Sequence, residues 1–205
     1  MSAAVVFENV SKYGVVENFD LTVETRERVL LRSGDPVILR LVAGMDEPDG
    51  GTVSALGTDV SSLPKGEAAA FRNARIGYAG QDSVLFPALT VLENAALYLA
   101  IRGITRNQRA SAAKGFLTML GLSHVMHNYP NSLSIAEKRR IALARALVAE
   151  PVILLLDNLF AGLRENEAAE LADYINSAYD RDGFTVLICA AEVPPELKLD
   201  REEMV

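Results

Sequence analysis

Two five-residue runs, Val152-Ile153-Leu154-Leu155-Leu156 and Thr185-Val186-Leu187-Ile188-Cys189, are apolar at almost every position. A strand with one wet face alternates polar and apolar residues, so runs like these suit strands covered on both faces, as in a parallel sheet. Between them, Asn166 to Tyr179 places Ala168, Leu171, Ala172 and Ile175 at helical spacing. Strand, helix, strand is the order of an α/β protein. Shorter runs predict further strands at Ala3–Phe7, Phe19–Val23, Arg28–Leu31 and Ile76–Ala79. The period-two alternation of Phe19-Asp20-Leu21-Thr22-Val23 predicts a half-buried antiparallel strand.

The middle of the chain reads differently. Thr90 to Ile101, Thr105 to Leu120 and Ser134 to Ala149 carry helical patterns, and Pro48-Asp49-Gly50-Gly51 reads as a local turn. The 205 residues are 50% hydrophobic, enough for a sizeable core. Twenty Lys and Arg against 27 Asp and Glu leave a net charge of −7. That excess disfavours nucleic acid as a partner, whose phosphates need clustered basic charge. A single cysteine, Cys189, excludes a disulfide framework and fits a reducing compartment. The first eight residues lack the basic start and apolar stretch of a secretory leader, and no run approaches the roughly 20 apolar residues of a membrane span. The expectation is a soluble, cytosolic chain.

Several segments resemble one family, the ATP-binding subunits of ABC transporters, most of all the lipoprotein-releasing and macrolide-export branch. Ile38 to Gly44 with Asp46 to Gly51 resembles the helix and turn after the family's phosphate loop. Ile76 to Gln81 and Leu89 to Asn94 resemble the Q-loop and the helix after it. Leu133 to Glu137, running into Ile141 to Leu147, resembles the signature motif and its helix. Val152 to Asp157 with Phe160 to Leu163 resembles the Walker B strand and D-loop. The resemblance implies a P-loop NTPase fold of the ABC nucleotide-binding type. It further implies one domain over residues 1–205, with an antiparallel β subdomain and a helical subdomain at about 82–149. Such subunits sit on the cytoplasmic face of the inner membrane, where they meet transmembrane permease subunits and a second ATP-binding subunit, identical or different.

Within that resemblance the chemical residues depart from the pattern. A phosphate loop needs glycines, a lysine for the β/γ oxygens and a Ser/Thr for magnesium. By register from Ala43-Gly44 the lysine position is Asp35, the Ser/Thr pair is Pro36-Val37, and two glycine positions are Val29 and Arg32; only Gly34 is kept. Asp35 suits an N-cap, Pro36 a first helical position and Gly44 a helix end. Two unit charges about 4 Å apart at an effective dielectric of about 20 interact by roughly 4 kcal/mol. Exchanging lysine for aspartate swings about twice that, so no tight binding of Mg-ATP is expected.

Asp157 matches the Walker B carboxylate, or is simply a polar strand end. Asn158 stands where a Glu would polarise the attacking water, and losing a general base typically costs roughly 10²–10⁴-fold. Arg164 replaces the D-loop acid, and Ala191 the switch histidine. In the signature, Ile135 and Ala136 replace two glycines and Glu137 a glutamine. Ser134 is kept, and it also makes a plain N-cap. The resemblance thus leaves Tyr13 (the adenine-stacking position, or a packed surface tyrosine), Gly34, Gln81, Ser134 and Asp157 as a vestigial nucleotide site. Gln81, Leu85, Phe86 and Leu89 are the candidate permease contacts, with Leu85 and Phe86 equally suited to burial between lobes.

Other features read as structural. His124 and His127 are spaced for one helix face but lack metal-ligand partners, Lys138-Arg139-Arg140 reads as a solvated helix face, and Cys189 as a buried, inert thiol. The expected function is a catalytically degenerate transporter subunit, a scaffold or regulator docked on transmembrane subunits of a lipoprotein-release or exporter-like system; the alternatives are an active ATPase that binds and hydrolyses Mg-ATP with partner-supplied groups, and a soluble interaction protein that has left the transporter.

Overall fold

The structure, a computed structural model, describes residues 2–33, 35–82 and 84–205. Along the chain run β1 (Ala3–Lys12), β2 (Val16–Glu24), β3 (Arg28–Arg32), α1 (Val37–Val42), β4 (Gly50–Ala55), β5 (Thr58–Asp59), α2 (Lys65–Arg75) and β6 (Ile76–Gly80). There follow α3 (Val91–Ala95), α4 (Leu97–Ile101), α5 (Arg106–Met119), α6 (Ile135–Leu147), β7 (Ile153–Asp157), α7 (Glu165–Asp182), β8 (Thr185–Cys189) and β9 (Arg201–Met204).

The strands form two sheets. One is parallel, in the order β6-β7-β8-β3-β9, and the other is antiparallel, β2-β1-β4-β5. The apolar runs have the expected cause. Leu30, Leu154, Leu156, Val186 and Ile188 enter one core with α3, α5, α6 and α7. Their sequence neighbours Val29, Leu31, Ile153, Leu155, Leu187 and Cys189 enter a second core with α1 and the antiparallel sheet. Successive side chains of a strand point to opposite faces, so a strand between two cores must be apolar throughout.

The predicted strands are present, mostly longer than their apolar runs, and Phe19–Val23 lies in the antiparallel sheet as its alternation predicts. The Walker-B-like strand sits one residue later than the run, because Val152 is partly exposed and precedes the ladder. The helical pattern from Thr90 to Ile101 is two short helices that meet at Ala96. Four elements carry no reading of their own in the sequence: β4, β5, α2 and β9. β4 begins in the glycine turn, α2 buries only Ala68, and Arg201-Glu202-Glu203-Met204 is a polar edge strand whose pairing with β3 is tertiary.

One close approach ties β6 to α6. A Cβ on Gly77 would stand 2.8 Å from the Ala146 carbonyl oxygen and 3.0 Å from Cγ of Pro151. Gly77→Ala is therefore expected to lower unfolding free energy by roughly 1–3 kcal/mol, the usual range for overpacking, as read by denaturant unfolding.

Candidate functional site

In open α/β sheets, ligands bind beyond the carboxyl ends of the strands. Here Ser33 follows β3, Gly80 ends β6 with Gln81 just after it, Asp157 ends β7 and Cys189 ends β8. These residues line a cleft of about 460 Å³ together with Pro36, Arg40, Tyr78, Asp82, Tyr98, Arg145 and Asn158.

The connection from β3 to α1 is short. Strand pairing continues to Arg32 and the helix begins at Val37, so four residues, 33–36, make the link. This corrects the register-based picture of Val29 and Arg32 as loop positions, because both are ladder residues: Val29 faces Leu187 and Arg201, and Arg32 faces Met204. Gly34 lies outside the described residues. The expected cap is also shifted. Pro36 takes the N-cap backbone position, and Asp35 reaches inward from one residue earlier, its Oδ1 accepting the Val37 amide at 2.9 Å. The Ser33 hydroxyl accepts the Asp35 amide at 3.1 Å. Gly44 follows the helix at φ +57°, as its role at the helix end requires. Arg32 spans two segments, donating to Glu202 at 2.8 Å and to the Ala191 carbonyl at 2.8 Å.

Asp157 accepts a hydrogen bond from the Tyr78 hydroxyl at 2.7 Å. Burial raises its pKa, and the hydrogen bond from Tyr78 partly offsets that rise. Burial, with the neighbouring carboxylate, also drives the Tyr78 phenol far up. Asn158 holds a left-handed backbone at φ +45° and donates through Nδ2 to Gln81 Oε1 at 2.7 Å. The Gln81 amide donates to the Asp157 carbonyl at 2.8 Å, and its own carbonyl accepts from Arg139. Gln81, Asp157 and Asn158 thus form one hydrogen-bonded set. Cys189 lies beneath the link, its thiol 3.4 Å from the Asp35 carbonyl and its pKa pushed up to about 11 by burial. An inert thiol is what that environment makes.

The remaining sequence-derived candidates are scattered. Ser134 caps α6 reciprocally with Glu137, whose amide and carboxylate it engages at 3.2 and 2.8 Å. Tyr13 is 96% exposed, so the packed reading of that tyrosine is wrong: its amide donates to Asp49 Oδ2 at 2.7 Å while its side chain stands in solvent. Leu85 packs against the helical core, Leu89 is half-buried, and Phe86 is exposed. Val84, missed in the sequence, is 72% exposed beside them. A second missed residue holds this segment: fully buried Asn94 accepts the Phe86 amide and donates to the carbonyls of Phe86, Leu89 and Thr90. An asparagine within an otherwise apolar helix pattern was the available signal.

Lys138-Arg139-Arg140 is not a solvated face. Arg139 bridges Gln81 and Ala161, and Arg140 sits over the Tyr174 ring and pairs with Glu170. His124 belongs to a single 3₁₀ turn that ends before His127, so the two share no helix face. Among the described residues no group of three or more His, Cys, Asp or Glu has metal-binding geometry, and no helix is long and apolar enough to cross a membrane.

A parallel sheet with a strand-link-helix at its carboxyl edge, an antiparallel sheet and a helical layer define the P-loop NTPase fold of the ABC nucleotide-binding type. A family model described as "ABC transporter" matches residues 16–161, and the chain belongs to that family. It is 31% identical over 195 residues to the lipoprotein-releasing system ATP-binding protein LolD of Hydrogenovibrio crunogenus, covering 93% of this chain and 85% of that one. It is 43% identical over 131 residues to the molybdate/tungstate import ATP-binding protein WtpC of Pyrococcus abyssi, covering 64% of this chain and 36% of that one. Its fold matches the dimeric ATP-binding cassette MJ0796, solved with ADP and Pi, at a TM-score of 0.84 and 27% identity over 92% of this chain and 88% of that one.

The raised pKa of Asp157 makes a signed prediction. In the unfolded chain this carboxyl ionises near its ordinary value of 3.8, and in the folded chain at higher pH. Its ionisation therefore opposes folding increasingly as pH rises from about 4 through the folded pKa, then by a constant amount. Asp157→Asn keeps an acceptor for Tyr78 and removes that charge. The unfolding free energy of the variant minus that of the parent is expected to grow with pH from about 4 and then level off, measured by denaturant titration across pH.

Proposed function

We propose that this chain is a catalytically degenerate ATP-binding subunit of an ABC transporter, a scaffold or regulator docked on transmembrane permease subunits of a lipoprotein-release or exporter-like system. One observation carries the reading. The link between β3 and α1 has four residues, and the aspartate in it spends its carboxylate on the first amide of the helix. A loop that surrounds phosphates needs two glycines with four residues between them, followed by lysine. Three of those four intervening positions, 30 to 32, are strand residues here. The groups that would serve Mg-ATP do not fit it. Asp35 presents like charge to phosphate, Asp157 is engaged by Tyr78, and Asn158 offers an amide where a base is needed.

The same reading takes residues 1–205 as one domain with a helical subdomain at about 82–149, at the cytoplasmic face of the inner membrane and alongside a second ATP-binding subunit. The match covers 85% of the LolD of Hydrogenovibrio crunogenus, consistent with one comparable unit. Docking falls to Val84 and Phe86, the exposed apolar pair on a segment that Asn94 holds in place.

Calorimetric titration of the full chain with Mg-ATP is expected to show a Kd no tighter than about 1 mM, equivalent to about −4.1 kcal/mol. Micromolar binding together with turnover abolished by Asp157→Ala would establish the active-ATPase alternative instead. Permease co-purified from native membranes is expected to fall at least about tenfold when Val84 and Phe86 are both changed to Asp, since burying two unpaired carboxylates opposes docking. Undiminished capture would move the docking contact off Val84 and Phe86, and no capture with the parent chain would favour the free interaction protein.

A further inference from the structure

We infer that the cleft contains a binding site for a carboxylate group, seated on the guanidinium of Arg145. Arg145 projects from α6 and is only 6% exposed, yet it lines the cleft. Its Nη1 donates to the Val84 carbonyl at 2.8 Å, and its Nε is buried with no acceptor among the described residues. A tyrosine ring is its other neighbour, with the guanidinium carbon 5.8 Å from the centre of Tyr98. Among the described residues no carboxylate lies within ion-pair distance of it.

This sets Arg145 apart from the other two arginines of α6. Arg140 pairs with Glu170, and Arg139 feels Asp82 and Asp157. Burial lowers the pKa of Arg145 with no carboxylate to restore it, but a guanidinium keeps its charge at physiological pH. A buried charge of this kind calls for a counter-ion with hydrogen-bond acceptors.

The ligand class follows from charge and geometry. Arg40, the second cation of the cleft, already lies 3.8 Å from Asp35 and 3.9 Å from Asp46. Among the described residues Arg145 is therefore the cation of the cleft with no carboxylate at ion-pair distance, and one guanidinium suits a single negative charge. Asp82 and Asp157 line the same cleft and repel any anion, a dianion such as phosphate about twice as strongly as a carboxylate. With Nε enclosed, the planar Nη edge of the guanidinium is what a carboxylate's two oxygens would meet. Two further donors line the cleft: the Tyr98 hydroxyl, and the terminal amide NH₂ of Gln81, whose oxygen is taken by Asn158. The site is independent of the phosphate-loop positions and does not rest on the absence of ATP turnover.

The test is titration of the purified full chain with propionate, with chloride and inorganic phosphate at equal ionic strength, followed by calorimetry and thermal unfolding. Saturable propionate binding at a Kd of about 1 mM is expected, with phosphate at least about tenfold weaker. Arg145→Lys keeps the charge and loses the fork, and should weaken propionate at least about tenfold; Tyr98→Phe should weaken it several-fold. No saturable binding, tighter phosphate than propionate, or unchanged affinity in a folded Arg145→Lys protein overturns the proposal. If Arg145→Lys does not fold, unchanged affinity in Tyr98→Phe overturns it. The group belongs either to a free small acid or to an acidic side chain of a docked subunit. Release of co-purified permease by saturating propionate assigns the second source, and retention with propionate bound assigns the first. Micromolar Mg-ATP binding would remove the proposed function and leave this result standing.

Discussion

Burial on both faces of β3, β7 and β8 is the constraint from which the rest of the molecule follows. Eleven of the fifteen positions on three adjacent strands alternate between a helical core and a core shared with the antiparallel sheet. Neither core exists without the other, because each strand contributes every second side chain to each. The non-directional gain from removing that apolar surface from water aligns the strand ends, and the aligned ends create the cleft. The residues that could do chemistry are where they are because the sheet stops there.

At that edge the polar groups satisfy one another. Tyr78 meets Asp157, Asn158 meets Gln81, Ser33 and Asp35 fold onto the start of α1, and Arg32 holds both the segment after β8 and the neighbouring edge strand. Buried polar groups with partners close at hand make a rigid, low-energy surface, whereas a site awaiting a ligand keeps groups in reserve. On the proposed reading the first arrangement has replaced the second at the phosphate edge, and Arg145 is the place where reserve persists.

The fold was legible because its strongest signals are long. The runs at 152–156 and 185–189, the helical spacing from 166 to 179 and the motif-like segments between them place the parallel sheet and most helices. What the sequence hid depends on partners. β9 is polar and exists because β3 offers it a ladder, and α2 has too few large apolar residues to show a period. The length of the link after β3 was invisible for another reason. Aligning residues from Gly44 backwards assumes that nothing has been lost, and only the ladder to Arg32 shows that the strand occupies those positions. Likewise no spacing rule separates Leu85, turned inward, from Val84 and Phe86, turned outward; a buried asparagine eight residues downstream decides it.

On the proposed reading, the four-residue link has an evolutionary corollary. Point exchanges at Asp35, Pro36 and Val37 would recreate the letters of a nucleotide cradle without the span of chain needed to wrap a ligand. Recovery would demand an insertion, together with release of Arg32 from its two tethers, and neither change helps without the other. A lineage that crosses such a gap does not drift back across it, which makes the shortened connector a ratchet.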